Sequence, residues 1–243
     1  LVCRALRAGK HVFVEKPLAL DDSELTEIET CYQAQVATGH SCHLMVGFNR
    51  RFAPHVMKAK SLLAPVSAPK TMIMTVNAGA IPAGHWTQDR AVGGGRIIGE
   101  GCHFVDLMRY LAGAPIVDVQ ARAVGGEQAG ETPEDKASIT LAFADGSIGT
   151  LHYFANGAKS FPKERLEIFA DGRILQLDNF RKLTGHGWSG FKKTSSWSQD
   201  RGQEACVGAF VEAIETGAAA LIPFAELMDA GKAVIEADRL LRL

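Results

Sequence analysis

The sequence lacks any apolar run approaching the roughly 18 to 20 residues that a membrane span needs. Its opening, Leu1 to Lys10, holds neither an apolar h-region nor a small-residue cleavage site. The expectation is a cytoplasmic chain with no membrane partner. Cysteine is scarce, with 5 in 243 residues, widely spaced and without a Cys-x-x-Cys pair, so neither a disulfide framework nor a metal site is expected. An excess of charge of one sign is also lacking. The 26 Lys and Arg against 27 Asp and Glu leave a net charge of −1, which gives no global attraction to nucleic acid, and none is expected as a partner. An initiator Met is missing too. Leu1, Ala5 and Ala8 recur at helical spacing before Gly9, as in the last turns of a helix, so an N-terminal segment is expected to be absent. What is present, 47% hydrophobic and 22% charged residues, describes a globular chain long enough for one or two domains with real cores.

His11 to Val14 is a short apolar run between a helix end and Glu15-Lys16-Pro17, the pattern of a buried parallel strand. Asp21, Asp22 and Ser23 offer N-cap groups to a helix carrying Leu25, Ile28, Tyr32 and Val36 on one face, with Gly39 as its stop. His43 to Phe48 is again strand-like, so the first 48 residues read α, β, α, β, the rhythm of a doubly wound sheet. The spacing predicts helices over Arg50 to Ala64 and Arg96 to Leu111, with a strand at Thr71 to Val76 between them. From Ile116 the period becomes two, and Asp145-Gly146 and Asp171-Gly172 each separate a pair of strand-like runs, the pattern of antiparallel hairpins. Helices follow from Ala205 to Gly217 and from Pro223 onward, while the polar stretch Gly185 to Gly202 is expected to be a mobile loop. The expected fold is α/β plus α+β: the C-terminal part of a Rossmann sheet over 1–48, a domain with an open, mostly antiparallel sheet over 49–202, and helices over 203–243 packing back on the core.

Two constellations could carry chemistry. Lys16 lies where α/β proteins place ligand-contacting groups, beyond the carboxyl end of a strand, and its ammonium can donate to a substrate hydroxyl. The same tripeptide also fits a surface lysine neutralised by Glu15. Between Gly93 and Asp106, a spacing of three puts Glu100, His103 and Asp106 on successive helical turns, where a carboxylate could orient His103 as a general base. A phosphate held by the backbone N–H groups of Gly93 to Gly95, and a purely structural histidine, fit the same residues. Cys102 beside His103 invites a thiolate, though adjacent helical residues diverge by about 100 degrees. Asn49-Arg50-Arg51 could meet a carboxylate or a cofactor phosphate, and Trp86 offers a flat platform for a sugar ring or a rim packed on its own loop.

Taken together, Ala8 to Leu18, Val46 to Phe52 and Gly93 to Asp106 resemble the Gfo/Idh/MocA oxidoreductases in order and separation. Gly95 to Phe104 and Phe161 to Arg165 look most like the oxidoreductase half of bi-domain proteins in which a zinc-alcohol-dehydrogenase-like part comes first, often in a polysaccharide-biosynthesis setting. The resemblance implies NAD or NADP as cofactor and hydride transfer with a hydroxyl of a sugar, cyclitol or sugar nucleotide. It also implies a homo-oligomer formed through the antiparallel sheet. Lys16 and His103 match the family's catalytic lysine and histidine. Glu15, Pro17, Asn49 and Arg51 are expected at the cofactor, and Trp86, Glu100 and Lys163 at the substrate. Two departures stand out: Gly99 occupies a position that is Asp in many members, and no Gly-x-Gly-x-x-Gly precedes the Lys16 strand. The resemblance thus implies that on the order of 80 residues of the dinucleotide domain lie outside this chain. The fragment alone is then expected to be inactive, and a binding or oligomerisation module without catalysis is the alternative.

Overall fold

The computed structural model of the chain describes residues 1–39, 42–82, 84–124 and 135–243. It opens with α1 (Val2–Arg7), β1 (Val12–Val14), α2 (Asp22–Ala37) and β2 (Leu44–Val46). β1 and β2 pair in parallel, Val12 opposite Leu44 and Val14 opposite Val46. The N-cap of α2 is Asp21, whose carboxylate accepts from the Glu24 N–H at 2.8 Å. Leu25, Ile28 and Cys31 form the buried stripe of this helix. Tyr32 borders that stripe, stacked on Phe224 at 3.9 Å between ring centroids, while Val36 faces solvent.

The helix expected from Arg50 begins later, as α3 (Pro54–Leu63), after a separate turn of 3-10 helix at Asn49–Phe52. Pro54 explains the shift. The residue before a proline is pushed out of the helical region, and Ala53 is extended at φ −63, ψ 133, so the proline takes the first helical position. β3 (Thr71–Asn77) then enters the large sheet. The segment after the three glycines is α4 (Cys102–Ala112), preceded by a wider π turn at Ile97–Gly101 and closed by Gly113 in the left-handed region at φ 77.

The remaining strands are β4 (Ile116–Ala123), β5 (Lys136–Phe143), β6 (Ile148–Phe154), β7 (Glu164–Ala170), β8 (Arg173–Asp178), β9 (Lys182–His186) and β10 (Lys193–Ser195). The sheet order is β10-β9-β8-β7-β3-β6-β5-β4, antiparallel throughout except where β3 runs parallel to β6. Asp171 and Gly172 join β7 to β8 with φ values of 50 and 69, the positive pair a two-residue hairpin needs. The stretch expected to be a mobile loop is in part ordered sheet: β9 lies against β8, and β10 extends the edge with Lys193 opposite Thr184. Its polar side chains suit an outer strand, which has little apolar surface to bury.

One face of the sheet buries alternate residues such as Met72, Met74, Ile139, Leu141, Leu151 and Leu166. α3 and α4 pack there, and α6 (Phe224–Leu240) packs on α4, β4 and α2. α5 (Gln203–Thr216) lies over the turn at Asn49–Phe52, and its Phe210 meets Phe13 edge-on at 5.4 Å. The buried apolar residues of the parallel pair and of the large sheet belong to one continuous core. Among the described residues no helix is long and apolar enough to cross a membrane.

Candidate active site

β1 delivers Glu15 and Lys16 side by side beyond its carboxyl end. Extended residues alternate in direction, so the two diverge and do not pair as the sequence suggested. The Glu15 carboxylate lies against Gly47, where an added Cβ would come within 3.3 Å of its Oε2. Lys16 instead donates from Nζ to the Gly99 carbonyl at 2.8 Å. That carbonyl belongs to the π turn ahead of α4, so the turn anchors the ammonium.

His103 sits in the first turn of α4, almost buried and edge-on to Phe48 at 6.2 Å. Its Nδ1 is buried without a hydrogen-bond partner. Burial, followed by the charges of Arg50, Lys16, Lys163 and Arg201, holds its pKa well below the usual 6.5. The imidazole is therefore neutral at pH 7 and able to accept a proton.

Two cavities meet at His103 and Arg50. The first, about 330 Å³, is bounded by Phe13, Glu15, Gly47, Asn49, Lys163 and Arg201. The second, about 440 Å³, is bounded by Lys16, Pro17, Trp86, Arg96, Gly99 and Glu100. Lys16 and His103, far apart in sequence, thus line one cavity. Glu15 and Asn49 lie in the first cavity, and Asn49 Nδ2 donates to the Arg201 carbonyl at 2.7 Å. Pro17, expected at the cofactor, lies with Lys16 in the second.

The expected alignment of Glu100, His103 and Asp106 is not what the structure holds. The π turn at Ile97–Gly101 takes more residues per turn than an α-helix and so shifts Glu100 out of the register that the spacing assumed, whereas His103 and Asp106 both lie in the regular helix α4 and Asp106 is taken up by Arg51. Glu100 accepts from Lys163 Nζ and Tyr153 Oη, both at 2.5 Å, and from Arg96 at 3.3 Å. Burial would raise the pKa of Glu100, but Lys163, the Tyr153 hydroxyl and Arg96 together bring it down to about 2. Asp106 is fully buried and grips Arg51, whose Nε and Nη2 donate to the two carboxylate oxygens at 2.6 to 2.9 Å. Arg51 also meets Glu226. Arg51 is therefore a core ion-pair residue and borders neither cavity, which corrects its expected place at the cofactor. Neither carboxylate bonds His103.

Other readings of this segment close as well. The N–H groups of Gly93 and Gly94 both donate to the Asp89 carbonyl, at 2.6 and 3.2 Å, and are not free for a phosphate. Burial raises the Cys102 thiol to about 12, so it is no nucleophile. Trp86 stands 62% exposed at the rim of the second cavity, available as a platform.

Sequence reasoning passed over several residues. Arg50 could not be told from Arg51 by adjacency alone. Arg201 lay in the supposed loop, and Glu164 gave no signal. Yet Glu164, 1% exposed, accepts from Arg50 Nη2 at 2.7 Å and from Arg201 Nε at 3.1 Å. The position of Gly202 is fixed by its φ of 80 and by the backbone of Asn49 and Ala53, 2.5 Å from where a Cβ would stand. This close approach brings Arg201 to the cleft.

A parallel strand pair thus stands beside a large, mostly antiparallel sheet, with a Lys and a His lining one cavity. The chain superposes on levoglucosan dehydrogenase in complex with NADH and levoglucosan, with a TM-score of 0.80, 19% identity, and coverage of 99% of this chain and 74% of that one. It superposes likewise on UDP-N-acetylglucosamine 3-dehydrogenase from Acidithiobacillus ferrooxidans, with a TM-score of 0.76, 21% identity, and coverage of 99% and 73%. Residues 69–175 match the GFO/IDH/MocA C-terminal domain. Myo-inositol 2-dehydrogenase of Thermotoga maritima is 28% identical over 190 residues, 76% of this chain and 54% of that protein. scyllo-Inositol 2-dehydrogenase (NAD(+)) of Bacillus subtilis is 32% identical over 157 residues, 61% of this chain and 43% of that protein. The match thus places a GFO/IDH/MocA C-terminal domain at residues 69–175, in a chain that is similar over most of its length to inositol dehydrogenases and shares its fold with other dehydrogenases. The chain spans about half the length of the curated relatives it matches.

Proposed function

We propose that this chain carries the substrate-oxidising half of an NAD(P)-dependent dehydrogenase acting on a hydroxyl of a small carbohydrate or cyclitol. The observation that supports it most is the meeting of Lys16 and a neutral His103 in one cavity. His103 takes the hydroxyl proton as the alcohol carbon is oxidised, and the Lys16 ammonium, held by the Gly99 carbonyl, donates to the same oxygen and stabilises the charge that develops there. Trp86 offers an apolar face to the ring.

The first cavity suits the nicotinamide end of a dinucleotide. It opens beyond the carboxyl ends of two parallel strands, the place where such folds bind ligands, and the missing Cβ of Gly47 leaves room beside Glu15. Glu15 and Asn49 would hold the group, which when bound supplies the hydride acceptor. Inositol and levoglucosan dehydrogenases among the relatives support this substrate class. The sheet face turned away from the helices carries Thr75, Thr150, His152 and the partly exposed Phe169, and we assign to it the homo-oligomer contact.

The test is the formation of reduced nicotinamide from a panel of aldoses and cyclitols, with any coding sequence upstream of Leu1 included. Lys16→Ala and His103→Ala should each lower kcat/KM by about 10²- to 10⁴-fold. Rates unchanged in both variants would refute the proposal.

A further inference from the structure

We infer that the alcohol this cleft accepts carries an anionic group, a carboxylate or a phosphate; the inference rests on the dehydrogenase reading of the same site. Five cations line the two cavities around His103: Lys16, Arg50, Arg96, Lys163 and Arg201. Their carboxylate partners are fewer. Glu164 alone receives Arg50 and Arg201, at 2.7 and 3.1 Å. Glu100 alone receives Lys163 and Arg96, at 2.5 and 3.3 Å. Lys16 is bonded to a carbonyl, which orients its charge without neutralising it. Of the acidic residues lining the cavities only Glu15 remains, exposed at the rim and set against Gly47.

Each buried carboxylate is thus shared between two cations, and the cleft holds a surplus of positive charge in a chain whose net charge is −1. Partly desolvated cations in excess of their partners are costly, and a ligand anion that accepts charge-assisted hydrogen bonds from them offsets the cost. A cofactor ring that is cationic when oxidised would not supply the missing negative charge next to His103, whereas an anionic group on the substrate would. Lys163 is suited to meet it, because its side chain is 37% exposed and its ammonium has one carboxylate partner.

The experiment is calorimetry on the protein with cofactor saturating. The probes are glucose against glucuronate and glucose 6-phosphate, galactose against galacturonate, and inorganic phosphate alone, each at low and high salt. At least one anionic member should bind about tenfold or more tightly than its neutral counterpart, a difference of about 1.4 kcal/mol. That preference should shrink in Lys163→Met and with added salt. Preference for the uronates identifies a carboxylate as the group, and preference for glucose 6-phosphate with binding of inorganic phosphate identifies a phosphate. Neutral sugars binding as tightly as their anions, or no anion binding at all, overturns the inference. Turnover that favours neutral sugars while Lys16→Ala and His103→Ala abolish it removes only this inference. Turnover that survives both substitutions removes the dehydrogenase reading itself.

Discussion

Glu100→Gln tests whether charge, rather than shape, holds the cleft together. The glutamine keeps the side chain's size but gives up the charge that Lys163 and Arg96 face. In the folded chain Glu100 ionises with a pKa of about 2, down from 4.5. That depression is equivalent to about 3 kcal/mol of linkage, with Glu100 22% exposed. Because the folded value lies below the unfolded one, the contribution is complete above pH 4.5 and disappears as pH falls toward 2. Urea unfolding of both proteins across this range should show the variant weaker by up to about 3 kcal/mol at pH 7. The gap should narrow steadily once pH drops below 4.5. Taking the difference between the two proteins removes the titration of every other carboxylate. A gap that is the same at pH 7 and at pH 3, or no gap at pH 7, would refute the reasoning.

Further outcomes are expected at His103, Arg51, Cys102 and Gly202. The acid limb of the kcat/KM profile should fall below pH 6.5, since His103 is held below that value. Lys163→Met removes one of the cations responsible, so the limb should move to higher pH, as a rate titration would reveal. Arg51→Met strands the buried Asp106 and should cost about 3 to 5 kcal/mol in denaturant unfolding, while Arg165→Met, at the surface, should cost little. Cys102, buried with its thiol near 12, should resist iodoacetamide at pH 8 in the native protein and react on unfolding, as mass spectrometry would record. Gly202→Ala should lower the thermal midpoint and loosen Arg201, because a Cβ there meets backbone at 2.5 Å.

The sequence disclosed most where a local signal was also the physical cause. Asp21 caps α2, Gly113 and Gly217 end helices in the left-handed region, and Asp171-Gly172 makes the hairpin its composition suggested. The resemblance to a known family paired Lys16 with His103, and the structure brings them to one cavity. What stayed hidden was whatever depends on partners distant in sequence. Arg50 and Arg51 are adjacent, yet one faces Glu164 at the cleft and the other Asp106 in the core. Only the 3-10 turn at Asn49–Phe52 and the packing of α5 over it separate their directions. The π turn was equally invisible, because Gly99, Glu100 and Gly101 are compatible with an ordinary helix. So Glu100 was placed with the wrong period, while Asp106, at the expected spacing from His103, is claimed by Arg51, a partner distant in sequence.

Glu164 stands at the start of β7 and clasps an arginine that follows β2 and another that precedes α5. One carboxylate thereby pins three distant stretches of chain at a single point beside the imidazole. With Glu164 1% exposed, this carboxylate braces the wall of the cleft from behind, and its loss would leave the Arg50 and Arg201 guanidinium groups facing each other with no anion between them.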